Sequence, residues 1–161
     1  CYGSETKEIL IDIKTMNYNG EVKTIDNKDL NLDYRQSKLP KGDIIISANF
    51  ESNYGNKIEI EKKIKEIKLM REKTQPIKEK TSGSTFKNPK NNFAAKLIEM
   101  SNCKELSEGG IFVSNQHANF LINKKEGTAS QIEELGNKII SKVYDKYKIK
   151  LEWEIRIIGQ K

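Results

Sequence analysis

Histidine and tryptophan occur once each in this 161-residue sequence, cysteine twice and proline three times. A single histidine cannot assemble the multi-histidine or Cys/His ligand sets of common metal sites, so no metal is expected. The two cysteines, Cys1 and Cys103, lie far apart and form no CxxC pair. That excludes a disulfide framework and makes a reduced, cytoplasmic setting the default. No apolar run approaches the roughly 18 residues of a membrane span, and no signal-peptide pattern is present. The sequence starts on Cys1 and not on methionine, and it enters a strand-like segment almost at once. It therefore reads as a fragment.

What is plentiful is charge: 32% of residues are Asp, Glu, Lys or Arg, against 35% hydrophobic, with a net charge of +6. Anionic partners fit that excess, whether nucleic acid, an acidic surface or a phosphorylated small molecule. The lysines, however, alternate with glutamates, as in "EIEKKIKEIK", which is the pattern of a solvated helix face. No basic patch interleaved with aromatics is present, so a nucleic-acid-binding module is only the alternative. The length suits one domain or two small ones.

The apolar residues are periodic. In "EILIDIKTM" (8–16), Ile9, Ile11 and Ile13 share one strand face, "NYNG" turns, and "EVKTI" returns as a hairpin. The isoleucine run of "DIIISANFES" (43–52) is expected to be a strand buried on both faces. From Asn56 to Lys73 the spacing of Ile60, Ile64 and Ile67 is helical, and Pro76 closes that unit. A boundary there gives domains 1–76 and 77–161.

In the second part, Phe93, Ala94, Leu97 and Ile98 line one face of a helix for which Asn91 offers a cap, and "EGGIFVS" and "HANFLIN" read as short strands. Thr128 and Gln131 have capping-box spacing before a long helix carrying Ile132, Leu135, Ile139, Ile140, Val143 and Tyr147 on one stripe. In a last strand, "KLEWEIRII", Leu151, Trp153, Ile155 and Ile157 face the core. The second part is thus α-β-β-α-β, a two-layer α+β domain.

Few residues suggest chemistry. In "TSGSTFKNPKNN" (81–92), Gly83 allows a close turn and Ser84, Thr85, Lys87 and Asn88 offer hydroxyls and donors. A plain inter-helix connector fits these features as well as a site does. No adjacent histidine activates Ser84 as a nucleophile, but a hydroxyl can still protonate a strongly basic carbanion. Glu152, Glu154 and Arg156 share the face opposite Trp153, which is either solvated or the wall of a cleft. Tyr34–Arg35 is a surface turn or an anion partner, and His117 is structural or touches substrate.

Five segments in order carry a resemblance: "YGSE" (2–5), "YRQS" (34–37), "QPIKEKTSGSTFKNP" (75–89), "GGIFVSNQHANFLIN" (109–123) and "LEWEIRIIG" (151–159). Together they resemble the UDP-N-acetylenolpyruvoylglucosamine reductases (UDP-N-acetylmuramate dehydrogenases), flavoenzymes of bacterial peptidoglycan synthesis. The similarity covers roughly the C-terminal half of the family's length. It implies the C-terminal part of a FAD-binding α+β domain over residues 1–76, followed by a two-layer substrate-binding domain. It also implies a cytoplasmic monomer that uses FAD and NADPH to reduce UDP-N-acetylglucosamine enolpyruvate, with no nucleic-acid or membrane partner, and that is silent as this piece alone. A non-catalytic nucleotide-sugar-binding domain is a further alternative.

Carried over position by position, Ser84 is the proton donor, and Arg35 and Glu154 stabilise the enolate. For Glu154 to donate, its carboxyl must hold a proton, which desolvation favours. Tyr34, Asn88, Lys104, His117 and Asn119 fall on substrate-binding positions, and Tyr2 and Gly3 on a flavin-contacting segment. A lysine of some members falls on Glu72 here, leaving Arg71 or Lys73 as its substitute. The short span from Arg35 to Ser84 resembles the subtype without an inserted, tyrosine-bearing loop.

Overall fold

The computed structural model describes residues 2–159, so Cys1 lies outside the described residues. The chain divides into two compact units, one ending at Glu59 and one starting at Ile60.

The first unit holds α1 (Thr6–Ile9), β1 (Leu10–Met16), β2 (Val22–Asp26), α2 (Asn27–Leu30) and β3 (Ile44–Phe50). The strands form an antiparallel sheet in the order β2-β1-β3. The β1–β2 hairpin closes as expected. The Asn17 side-chain oxygen accepts the amides of Asn19 and Glu21, both at 3.0 Å, in place of a longer backbone turn. The buried face of β1 is not Ile9, Ile11 and Ile13. It is Leu10, Ile13 and Thr15, while Ile9 and Ile11 are about half exposed. The reason is a bulge: Leu10 pairs with Phe50 and Asp12 with Asn49, so Ile11 is an extra residue that reverses the inside–outside phase.

Buried Thr15 donates its hydroxyl to Asp43 at 2.8 Å, and Lys23 reaches the same carboxylate at 2.9 Å, which holds the Asp43 pKa below its ordinary value. Leu10, Ile13 and Leu30 make a small core with Ile25, Leu32 and Leu39 against it. The second correction concerns β3. The isoleucine run expected to be buried on both faces forms an edge strand whose seven residues are all exposed.

Helix α3 (Lys57–Thr74) starts where the Asn56 side chain accepts the amides of Ile58 (2.9 Å) and Glu59 (3.3 Å). It buries none of its residues, and Ile60 and Ile64 stay half exposed.

The second unit continues with β4 (Thr81–Ser84), α4 (Ala94–Met100), β5 (Ser107–Glu108), β6 (Ile111–Val113), β7 (Phe120–Asn123) and α5 (Ala129–Tyr147). Its sheet is antiparallel in the order β4-β7-β6-β5. Helix α5 packs on this sheet and α4 packs on α5, giving the expected two layers. The shared core comprises Phe86, Ile98, Ile111, Val113, Leu121, Leu135, Ile139, Val143 and Leu151 among others. The capping box forms: Thr128 accepts the Gln131 amide at 3.3 Å, and Gln131 accepts the Thr128 amide at 3.0 Å. That cap contributes about 1 kcal/mol. Fully burying Leu135, Ile139 and Val143 contributes roughly 5–8 kcal/mol, so packing, not capping, holds α5.

Three expectations for this unit are corrected. The stretch at 81–84 is not a connector between helices but an edge strand, held by backbone pairing to β7 since its side chains carry no apolar alternation. Asn91 does not cap α4; it has φ 60°, and the Ala94 amide is taken by the Asn88 side chain at 3.0 Å. Among the described residues the terminal segment is not a strand but pairs once, Phe86 with Trp153. Leu151 is buried and Trp153 packs on the core, but Ile157 is 56% exposed.

Candidate active-site segments

Ser84 ends β4 opposite Phe120, and its presentation depends on a second bulge. Thr81 pairs with Ile122 and Ser84 with Phe120, so β4 spends three steps where β7 takes two. Gly83 absorbs the extra residue at φ +87°, in the left-handed region open to glycine, and its amide meets the Thr81 hydroxyl at 3.3 Å. The bulge turns Ser84 away from the phase that simple alternation from Thr81 would give it.

Beyond Ser84 the backbone is gripped from two sides. On one, Thr85 donates its amide to the Asn119 carbonyl at 2.7 Å. The Asn119 side chain then acts as a short strand: it accepts the Phe86 amide at 3.0 Å and donates to the Phe86 carbonyl at 2.8 Å. On the other, Glu154 donates its amide to the Thr85 carbonyl and Lys87 donates to the Glu152 carbonyl, both at 2.9 Å. Phe86 and Trp153 are thus a pair whose own amides point away from each other, which is why Phe86 depends on Asn119. Their rings meet at 5.0 Å between centroids. The structure therefore brings Ser84 and Glu154 onto adjoining segments, and both residues are partly buried.

Lys104, His117 and Asn119 also lie in this unit. Asn119, expected to touch substrate, is 4% exposed with its side-chain amide engaged on Phe86, a clamp the sequence did not reveal. His117 is half buried. Its Nδ1 accepts the Asn119 amide at 3.3 Å, which puts the neutral ring's proton on Nε2. Its ring meets Phe120 edge-on at 4.7 Å. Burial lowers the His117 pKa, and the positive charge of Lys104 lowers it further, so the ring is neutral at physiological pH. Lys104 itself pairs with Glu99 at 2.5 Å. Asn88 is exposed beside α4, which it caps.

Gln116 donates its side-chain amide to the Glu72 carbonyl at 2.8 Å, tying the His117 loop to the end of α3. A cavity of about 460 Å³ lies there, with Glu72, Lys73, Gln75, Pro76 and Gln116 in its wall. Lys73 lines it, whereas the Arg71 guanidinium turns to the Gln75 side chain at 3.4 Å. A smaller cavity, about 270 Å³, is lined by Ser82, Thr85, Asn123 and Ile155, and by neither Ser84 nor Glu154.

The remaining expected residues belong to the first unit. Tyr34 and Arg35 are the two tip residues of a tight exposed turn between Asp33 and Gln36. Their backbones exchange bonds at 3.0 and 3.1 Å, and the Arg35 guanidinium lies 5.2 Å from the Tyr34 ring centre. Tyr2 and Gly3 form an exposed turn with φ 54° and 86°. Among the described residues no group of three His, Cys, Asp or Glu side chains is placed to hold a metal ion. Among the described residues no helix is long and apolar enough to cross a membrane.

Residues 75–158, more than half of the chain, match the family model described as UDP-N-acetylenolpyruvoylglucosamine reductase, C-terminal domain. The UDP-N-acetylenolpyruvoylglucosamine reductase of Sphingopyxis alaskensis is 40% identical over 160 residues, covering 99% of this chain and 54% of the relative. That of Rickettsia bellii is 40% identical over 160 residues, covering 99% and 53%. Among solved structures, a UDP-N-acetylenolpyruvylglucosamine reductase from Thermus caldophilus superposes with a TM-score of 0.78 at 29% identity, covering 92% of this chain and 53% of its own. The chain thus spans about half the length of the curated relatives it matches. On the family match to its second unit and the relatives that run through both, the chain belongs to the UDP-N-acetylenolpyruvoylglucosamine reductase family.

Proposed function

We propose that this chain supplies the substrate-protonating half of a UDP-N-acetylenolpyruvoylglucosamine reductase, within the peptidoglycan precursor pathway of a bacterial cytoplasm. The observation that carries the reading is the Glu154-to-Thr85 amide bond of 2.9 Å, which holds the glutamate's segment beside the one that presents Ser84. We keep a domain border at Pro76 as part of this proposal; the start of the family match at 75 supports it, while the two compact units part between Glu59 and Ile60.

Tyr2 and Gly3 suit a flat aromatic cofactor. The tyrosine is 46% exposed, and at Gly3 the backbone is open, with nothing within 4 Å of where a Cβ would stand. FAD reduced by NADPH supplies, when bound, the hydride that reaches C3 of the enolpyruvyl group. Addition at C3 leaves an electron pair on C2, delocalised into the neighbouring carboxylate. The Ser84 hydroxyl protonates C2 and completes the lactyl ether. Arg35 and Glu154 carry over from the resemblance as stabilisers of the developing carboxylate charge, and one such aimed donor is worth about 3–4 kcal/mol of barrier. Lys73 is assigned the phosphate-facing role left open between it and Arg71, because it alone of the two lines the cavity beside Gln116. Lys104 and neutral His117 are assigned to the nucleotide-sugar, with Nε2–H as a donor, and Asn88, which bonds the first amide of α4, is assigned to the same ligand. Asn119 holds the Ser84 segment.

Amide-shift titration of this chain with UDP-N-acetylglucosamine enolpyruvate tests the assignment, with UDP and a random DNA duplex as comparisons. Shifts are expected at Ser84, Lys104, His117 and Glu154 with the substrate, and UDP is expected to spare Ser84 and Glu154. Shifts produced equally by the duplex, or none at Ser84 and Glu154, count against the reading.

A further inference from the structure

Gly136 lies inside α5, buried, between Leu135 and the continuing apolar stripe. A Cβ at this position would stand 1.9 Å from Cη2 of Trp153 and 2.7 and 2.8 Å from Cζ3 and Cζ2. Atoms of different residues do not approach so closely, so the indole rests on bare helix backbone and fills a notch that only glycine provides. A glycine inside a helix normally weakens it relative to alanine. Here it admits the one tryptophan of the sequence.

The indole is not an isolated filler. Trp153 pairs with Phe86 across the single bridge, ring against ring at 5.0 Å. The residues on either side of it make the two amide–carbonyl bonds that join the terminal segment to the Ser84 segment: Lys87 to Glu152 and Glu154 to Thr85. Among the described residues the terminal segment has no other strand pairing. Beyond the buried Leu151, which anchors the segment to the core, its position against Thr85–Lys87 is set by where the indole seats.

We infer that Gly136 is a positioning residue: the notch in α5 sets, through Trp153, the placement of Glu154 relative to Ser84. Their roles in the reaction rest on the function proposed above; the placement itself does not. Displacing the indole should loosen the two joining bonds while leaving the α5 stripe and the β6–β7 pairing in place.

Amide hydrogen exchange on this chain reads the two bonds directly, and Trp153 emission reads the notch. In Gly136→Ala, exchange at Glu154 and Lys87 is expected to speed up at least about tenfold, with a red shift of the emission and unchanged exchange in β6 and β7. In the Trp153→Leu background, Gly136→Ala is expected to change those two amides by less than about twofold, since no indole remains to transmit the clash. An equal effect in both backgrounds overturns the proposal, as does full protection of Glu154 in Gly136→Ala. If Gly136→Ala does not fold, Trp153→Leu alone decides: unchanged protection at Glu154 overturns the proposal. In a reductase of the relatives' length carrying this sequence, the alanine is expected to lower kcat about tenfold or more with KM for the UDP-sugar within about twofold. Turnover unaffected while both bonds loosen leaves the notch in place and counts against the catalytic roles of Ser84 and Glu154.

Discussion

Removing the Asn119 side chain is the sharpest test of how the Ser84 segment is held. In Asn119→Ala, the Phe86 amide loses its acceptor at 3.0 Å and the Phe86 carbonyl loses its donor at 2.8 Å. Neither group has a substitute in the Trp153 pairing, whose bonds run through Thr85 and Lys87 instead. Phe86 is 1% exposed and Asn119 4%, so water does not reach the vacated positions without opening the structure. Each buried, unpaired backbone group costs about 1–3 kcal/mol, so the substitution, which orphans two, is expected to destabilise the second unit by roughly 2–6 kcal/mol. Urea unfolding followed by Trp153 emission measures this, because the only tryptophan lies in that unit. Asn119→Asp sharpens the test. Its carboxylate still accepts from the Phe86 amide but faces the Phe86 carbonyl with a second acceptor, and only when protonated does it regain a donor. It is expected to lose at least as much stability as the alanine at neutral pH and to narrow that gap in acid. A loss below about 1 kcal/mol for Asn119→Ala, with native emission, would refute the clamp.

Three further outcomes follow from single features. Gly83→Ala places a Cβ where nothing lies within 4 Å, so its cost is the left-handed backbone alone, about 1–2 kcal/mol, and Gly83→Asn is expected to cost less; urea midpoints compare them. Thr128→Ala removes the acceptor for the Gln131 amide and is expected to cost about 0.5–2 kcal/mol of second-unit stability, with thermal unfolding as the measure. His117 is more acidic folded than its ordinary value of 6.5, so the unfolded chain binds the proton more readily. Its contribution is complete above 6.5 and is lost as pH falls through the lower folded value. Wild type is therefore expected to lose more stability than His117→Gln between about pH 7.5 and about pH 5, and equal losses would contradict the assignment.

Elements that depend on neighbours in sequence were legible from it. The Asn17 turn, the Thr128–Gln131 capping box and the Leu135–Ile139–Val143 stripe all close within a few residues. Features set by distant partners were not. The phase of β1 is reversed by a bulge against β3, which the alternation of Ile9, Ile11 and Ile13 does not contain. The run Ile44–Ile46 promised burial, but burial requires a covering partner, and in the described residues β3 is an edge strand. "TSGS" has no apolar period, so only β7 makes it a strand. At the candidate site, Ser84, Glu154 and Asn119 are named through the family resemblance, whereas the Asn119 clamp and the Gly136 notch needed coordinates. The notch did leave one trace: a glycine interrupting an otherwise regular helical stripe, a sign of close packing.

The central claim, that Ser84 protonates C2, is tested most directly by separating the half-reactions in a reductase of the relatives' length carrying this sequence. In Ser84→Ala, flavin reduction by NADPH is expected to keep its rate within about twofold, while reoxidation by the enolpyruvyl sugar slows by at least about a hundredfold. Equal slowing of both steps, or reoxidation at the wild-type rate, would contradict it.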